Sequence, residues 1–379
     1  MRIGPYYAAI SVLVRMGDWS QADDLCQNYG DNDGGFADWL RRRNIAMKIL
    51  FRVLCTLALF IAPAAAGPSG GGGSAIYPVM SLWAQTYQQK TGVAVNYQPI
   101  GSGGGIRQSL ARTIDFGNTD MPLSPADLSK AKLVQFPILF IAIVPVVNLP
   151  GVAAGALALD GPALSGIYLG KITRWNDPAI ARLNPRVTLP AWPIIVVHRS
   201  DASGTTWHFT SYLAAVSPGW RASVGAGAAV AWPVGSAAKG NAGVVATVVQ
   251  TRGAIGYVEY AYAQHSRLTV TGLINRDGAR VLPGMASFRA AAAVADYSRT
   301  DGPVPANPPG QESWPLTAAT YMLLHADDPP ARNQEIVRFL DYTLHDGRAL
   351  AERLGYVPLP EPVTKDVEAL WAYRLGVRP

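Results

Sequence analysis

YPVMSLWAQTYQQKTGVAVNYQPIGSGGGIRQ, residues 77–108, changes its pattern three times. Pro78 suits a first helical position, and Val79, Leu82/Trp83 and Thr86/Tyr87 follow at a spacing of three to four. Thr91-Gly92 stops that helix with the residue best fitted to a left-handed cap. Val93, Val95 and Tyr97 then alternate with Ala94, Asn96 and Gln98, which predicts a strand. After the glycine-rich GSGGG at 101–105, Ile106, Leu110 and Ile114 mark the next helix. Helix, strand, glycine loop and helix in this order predict an α/β architecture. The loop itself reads either as a slack linker or as a cradle for an anion.

Downstream, PILFIAIVPVVNL (137–149) is almost wholly apolar. Its length and Pro145 argue against a membrane helix, which needs about 20 residues. A buried strand passing from one lobe to another fits better. IIVV (194–197) is a second buried strand and runs straight into HRSDASGTT. AGVVATVVQ (242–250) reads as helix and AIGYVEY (254–260) as strand. WPLTAATYMLLH (314–325) is the expected return strand to the first lobe, and residues 364–375 the closing helix. No internal repeat is visible, and GPSGGGGS (67–74) is the one low-complexity piece.

Upstream, MKILFRVLCTLALFIAPAAA (47–66) has the charges, apolar core and small residues of a secretory signal, with cleavage expected after Ala66. Residues 1–46 read as an extension ahead of a true start at Met47; Arg42-Arg43 offers a looser twin-arginine alternative. The chain has 379 residues with 32 Lys/Arg and 26 Asp/Glu. Residues 67–379 keep 25 basic and 20 acidic residues, spread without runs, which speaks for mild attraction of anions and against a nucleic-acid footprint. Both cysteines, Cys26 and Cys55, precede the cleavage point, so the mature chain is expected to have no disulfide and no thiol chemistry. Arg52-Val53-Leu54 before Cys55 is a poor lipid-attachment sequence.

Three segments combine glycine, small residues and hydroxyls at expected helix starts: GGSAIYP (72–78), GSGGGIRQ (101–108) and DASGTTW (201–207). A helix start presents unpaired N–H groups and partial positive charge, which suits an anion. Each alone is more often a cap or turn. Three of them with an arginine are better explained by one shared anion. Arg199 brings the full charge, its planar fork suits a tetrahedral oxyanion, and Asp201 could hold the fork in place. The plain alternative for that pair is a surface ion pair.

Asp120 should repel an anion unless the anion keeps a proton that the carboxylate can accept. Phosphate keeps one near neutral pH and sulfate keeps none. A buried acceptor facing another acceptor costs several kcal/mol, and sites of this type reject the wrong ligand by about 10⁴–10⁵-fold. Asp120 is thus expected to filter the ligand, with a helix-capping role before Met121-Pro122 as the alternative.

Enzyme motifs are poorly represented. GPSGG (67–71) has the letters of a nucleophile elbow but no strand ahead of it, and GIYLGKI (166–172) departs from a P-loop in spacing and at Ile172. The histidines at 198, 208, 265, 325 and 345 show no metal-ligand spacing. His198 and His208 flank the hydroxyl-rich loop and keep a phosphatase or esterase reading open, with Ser203 or Ser102 as nucleophile.

Taken together, YPVMSLWAQTYQQKTGVAVNYQPIGSGGGIRQSLARTIDFGNTDMPLS, IYLGKITRWNDPAIARLNP, VVHRSDASGTTWHFTSYL, WPVGSAAKGNAGVVATVVQTRGAIGYVEYAYA and LGYVPLP resemble the periplasmic phosphate-binding proteins of high-affinity phosphate ABC importers. The resemblance runs from about Ser74 to Trp371. It implies a two-lobed α/β periplasmic binding protein fold with the ligand in the interlobe cleft: lobe I at 67–140 and 312–379, lobe II at 141–311. It carries phosphate contacts onto Ser74 and Ala75, Ser102, Asp120, Arg199 with Asp201, and Ser203, Gly204 and Thr205. It further implies a monomeric periplasmic receptor that hands phosphate to membrane permease subunits, with no enzymatic step, cofactor, metal or nucleic acid. A receptor for another oxyanion is the alternative. Two departures stand out. GPSGGGGS replaces the family's usual first strand, so a short or frayed strand is expected, and Ala75 stands where phenylalanine is common.

Overall fold

Leu133–Val147 is a single fifteen-residue strand, buried along its whole length. In the computed structural model, which describes residues 67–294 and 306–378, this strand organises everything else. The expected extension (1–46) and signal segment (47–66) lie outside the described residues.

The first part of the chain runs β1 (Ser69–Gly72), α1 (Tyr77–Thr91), β2 (Asn96–Gln98), α2 (Ser102–Leu110), β3 (Phe116–Thr119), α3 (Pro125–Ala131) and the long β4 (Leu133–Val147). Next come β5 (Ala158–Leu159), α4 (Gly161–Tyr168), α5 (Pro178–Ala181), β6 (Ile195–Arg199), α6 (Gly204–Val216), α7 (Pro218–Ser223), β7 (Ser236–Ala238), α8 (Gly240–Gln250), β8 (Ala254–Glu259) and α9 (Tyr260–His265). The remainder is β9 (Thr269–Val270), β10 (Gly272–Ile274), β11 (Arg280–Val281), α10 (Met285–Ala293), β12 (Thr317–His325), α11 (Pro330–Leu344), α12 (Arg348–Arg353), β13 (Val357–Pro358) and α13 (Glu361–Arg374).

The main sheet has the order β2-β1-β3-β12-β4-β8-β6-β7, with β9 and β13 also on β4; β5, β10 and β11 form a small second sheet. Residues 133–142 of β4 pair with β12, and 143–147 pair with β8. One strand therefore belongs to two half-sheets. In each half three parallel strands lie side by side, β2-β1-β3 and β8-β6-β7. All of these strands lead through short loops to helices, and loops at the carboxyl ends of parallel strands are where α/β proteins bind ligands.

The long apolar strands follow their expected positions, because a strand buried on both faces reads as a continuous apolar run. Gly92 ends α1 with φ 78° and donates to Gln88 O, the left-handed cap read from the sequence. The ends of the long apolar strands shift by a few residues, β4 to Leu133–Val147 and β12 to Thr317–His325, and two other boundaries differ for a visible reason. The strand expected from Val93 pairs only over Asn96–Gln98, because its neighbour β1 is four residues long. Helix α2 ends at Leu110 and not at Ile114, since the chain turns at Arg112 (φ 53°) toward β3.

The low-complexity GPSGGGGS contains β1. The strand is short, as expected, but not frayed: it is paired on both edges and largely buried. Glycine is required because a Cβ on Gly70 would fall 2.1 Å from the Phe116 ring. Buried tryptophans fasten distant segments: Trp83 Nε1 donates to Gly347 O, Trp175 Nε1 to Gly253 O and Trp314 Nε1 to Ile143 O, each at 2.9 Å.

Candidate functional site

The carboxyl ends of both parallel strand sets carry the residues singled out in the sequence. Ser74 follows β1, Ser102 opens α2 after β2, and Asp120 follows β3. Arg199 ends β6, and Ser203 is the N-cap of α6, its Oγ accepting from Thr206 N at 3.2 Å. Polar side chains at such an exposed-looking set of loop ends should be wet. Instead Ser74, Ser102, Asp120, Arg199, Ser203 and Thr205 are only 0–5 % exposed. The loops cover one another.

Direct hydrogen bonds join the two sets. Gly103 N donates to Ala202 O at 3.1 Å. Asn241, in the first turn of α8, donates to Ser74 Oγ from its side chain at 2.9 Å and from its backbone at 3.3 Å. Tyr262 OH donates to Ser74 O at 2.9 Å. Gly204 packs onto Asp120 and Ser102 so closely that a Cβ there would lie 2.5 Å from Asp120 Cβ and 2.6 Å from Ser102 Oγ. Ala75 is buried, and its carbonyl accepts from Tyr356 OH at 2.7 Å.

Arg199 is held as a fork. Its Nε donates to Asp201 Oδ1 at 2.8 Å and its Nη2 to Asp201 Oδ2 at 2.5 Å. Gly240 N adds a third bond to Asp201 Oδ1 at 3.0 Å. Burial opposes ionisation of Asp201, but the Arg199 hydrogen bond and charge outweigh it and hold the carboxyl below its ordinary range. This is not the surface pair considered from sequence: the guanidinium side chain is 1 % exposed. Its third nitrogen, Nη1, is buried and makes no hydrogen bond. A buried, unpaired, charged donor is costly and marks the place of an acceptor.

Asp120 supplies the opposite character. Its Oδ1 accepts from Thr320 Oγ1 at 2.7 Å, and Ser102 Oγ lies 3.4 Å from Oδ2 while accepting from Asp120 N at 3.2 Å. Burial pushes its pKa up to about 6, against the lowering effects of Thr320, Arg199 and Ser102. Above that pH it is an anion beside a cation, with acceptor capacity to spare.

The two histidines weighed as general bases are otherwise engaged. His208 Nε2 lies 2.8 Å from Asp120 O, which makes it the N–H donor to that carbonyl, and burial lowers its pKa to about 4. His198 stacks on Trp232 at 4.9 Å and its Nδ1 lies 3.1 Å from Arg199 O. Among the described residues one group, Asp341, His345 and Glu368, brings three potential metal ligands within 4.8 Å of one another; it lies on α11, its C-cap and α13, outside this site.

Three residues of the site were not read from the sequence, Asn241, Tyr262 and Thr320, and His208 was read there as a general base, not as a donor to Asp120 O. Asn241 had a signal, since KGNAG stands at an expected helix start. Thr320 had almost none.

Two half-sheets sharing one long strand, with loops closing over a buried arginine and aspartate, define the two-lobed periplasmic binding protein class. A model of the PBP superfamily domain matches residues 62–346. The phosphate-binding protein PstS of Pasteurella multocida is 47% identical over 306 residues, 80% of this chain and 89% of that protein. That of Haemophilus influenzae is 44% identical over 310 residues, 81% of this chain and 93% of that protein. In structure, a phosphate binding protein from Stenotrophomonas maltophilia is similar with a TM-score of 0.60 at 18% identity, covering 80% of this chain and 94% of that one. The chain belongs to the PstS family of phosphate-binding proteins, the substrate-binding components of ABC importers. It is a binding protein and not a hydrolase, which removes the phosphatase and esterase reading.

Proposed function

We propose that this protein captures inorganic phosphate in the periplasm and delivers it to the membrane permease subunits of an ABC importer. Lobe I is taken as residues 67–140 and 312–379, and lobe II as 141–311. Phosphate is held by the loop at Ser74 and Ala75, by Ser102 and Asp120, by Arg199 oriented by Asp201, and by Ser203, Gly204 and Thr205.

The observation that carries this reading is the buried Arg199 Nη1 without a partner in a site that also buries the Asp120 carboxyl. The guanidinium donates to an anionic oxygen. The carboxylate accepts from an oxygen that bears hydrogen. One ligand satisfies both only if it is an anion that is still an acid. Sulfate would set its bare oxygen against Asp120, two acceptors facing each other in a buried place. The close loop contacts support a closed cleft that excludes water and strengthens each charge-assisted bond. Binding of the ligand to open lobes followed by closure is the matching sequence of events.

The named relatives are phosphate-binding proteins, which supports the same ligand. The test is calorimetric titration of residues 67–379 with phosphate and with sulfate at neutral pH. Phosphate is expected to bind with at least about 10⁴-fold preference. Equal affinities would replace this reading with that of a general oxyanion receptor.

A further inference from the structure

The wall behind Asp120 is built by β12, which pairs with both β3 and β4. Thr320 and Tyr321 on β12 face Leu139 and Pro137 on β4, so the ladder skips Ile138 at this step. A bulge of this kind re-aims a side chain, and a proline in an inner strand is tolerated at such a bulge. Thr320, fully buried, brings its hydroxyl to 2.7 Å from Asp120 Oδ1.

Hydrogen bookkeeping fixes the direction of that bond. Asn118 Nδ2 lies 3.0 Å from Tyr321 O and 2.9 Å from Thr320 Oγ1. A backbone carbonyl only accepts, so the amide must turn its NH₂ toward β12. One of its hydrogens goes to Tyr321 O and the other to Thr320 Oγ1. Thr320 thus accepts from Asn118 and has one hydrogen left to give. Thr119 O is 3.4 Å away, a much poorer acceptor than Asp120 Oδ1 at 2.7 Å.

We propose that Asn118 and Thr320 act as a positioning pair: they commit Oδ1 of Asp120 to accepting a hydrogen bond and leave Oδ2, beside Ser102 and Gly204, as the atom that reads the ligand's proton. The proposal rests on the phosphate reading above and names what enforces it. Any proton taken up by Asp120 itself must sit on Oδ2, where it displaces the ligand's own hydrogen. Phosphate capture is therefore lost on acidification through Asp120, and Thr320 sets the pH at which this happens by favouring the ionised form.

The titratable groups facing Asp120 from the surrounding elements are Arg199 on β6, His208 on α6, Tyr97 on β2, Glu259 on β8 and Tyr356 ahead of β13. Burial favours the uncharged form of the last four. Arg199 and Asp120 are left as the opposed charges of this group.

The test compares wild type with Thr320→Val, which removes the hydroxyl, and Thr320→Ser, which keeps it. Phosphate affinity is titrated from pH 5 to 8, and the Asp120 carboxyl is followed in the phosphate-free protein by ¹³C NMR. Thr320→Val is expected to weaken phosphate binding by about tenfold to a hundredfold, as loss of a hydrogen bond to a charged group requires. Its acidic limb and its Asp120 titration are expected to move up by about one pH unit or more. Thr320→Ser restores both toward wild type. Should the valine variant not fold, Thr320→Ala removes the same hydroxyl with a smaller side chain. An unchanged Asp120 titration in folded Thr320→Val or Thr320→Ala overturns the positioning pair. Failure of wild type to bind phosphate, with the NMR shift present, overturns the phosphate reading and not the pair's hold on Asp120.

Discussion

Gly204 lies against Asp120 so closely that a methyl group on it would stand 2.5 Å from Asp120 Cβ and 2.7 Å from Oδ2. The first residue belongs to the start of α6, the second directly follows β3, and they meet where the two loop sets close. Gly204→Ala should leave each half able to fold while opposing their approach. Overpacking of this size costs about 1–3 kcal/mol, so phosphate affinity should fall by about tenfold to a hundredfold. Calorimetry measures the loss, and small-angle scattering should show the variant failing to contract when phosphate is added. Wild-type affinity in this variant would mean that the contact is not part of the bound state.

Arg199→Lys separates charge from geometry. Lysine keeps the positive charge but cannot hold Asp201 with two nitrogens while offering a third inward. Arg199 uses Nε and Nη2 on Asp201, and Nη1 is the nitrogen left over. Phosphate affinity of the lysine variant should therefore fall by on the order of 10²-fold. Retention of wild-type affinity would show that a point charge suffices.

Some of this was legible in the sequence and some could not be. Pro78, Gly92 and the apolar run at 137–149 report local rules, and those rules hold in the fold. Arg199 and the hydroxyl-glycine loops were legible because three of them coincide with one arginine, although each alone reads as a cap or turn. Thr320 was not. Threonine is an ordinary strand residue, and its meaning comes from a bond to an aspartate 200 positions away, aimed by a bulge. The glycines of β1 misled in the other direction. Their low complexity reads as a short or frayed strand, and only the Phe116 ring beside Gly70 shows why an ordered strand needs them.

Asp120→Asn should make the phosphate-free protein more stable, with a definite pH signature. Burial raises the folded-state pKa of Asp120 from 3.8 to about 6. Between those values the folded chain holds more protons at this site than the unfolded chain does. Stability from this group is then greatest below pH 4 and falls as pH rises toward 6. Above pH 6 the ionised carboxyl costs the fold on the order of 3 kcal/mol. His208 acts the other way, since its folded-state pKa of about 4 lies below 6.5 and its share of stability rises with pH across that window. The wild-type curve alone therefore conceals both. The difference between wild type and Asp120→Asn isolates the acid, because asparagine still accepts from Thr320 and carries no charge. Denaturant unfolding without phosphate should show the variant ahead by about 3 kcal/mol at pH 8 and level with wild type near pH 4. The same substitution should forfeit preference for phosphate over sulfate, since an amide can donate to a bare oxygen. A variant less stable than wild type at pH 8 would mean that the buried carboxylate is already compensated without its ligand.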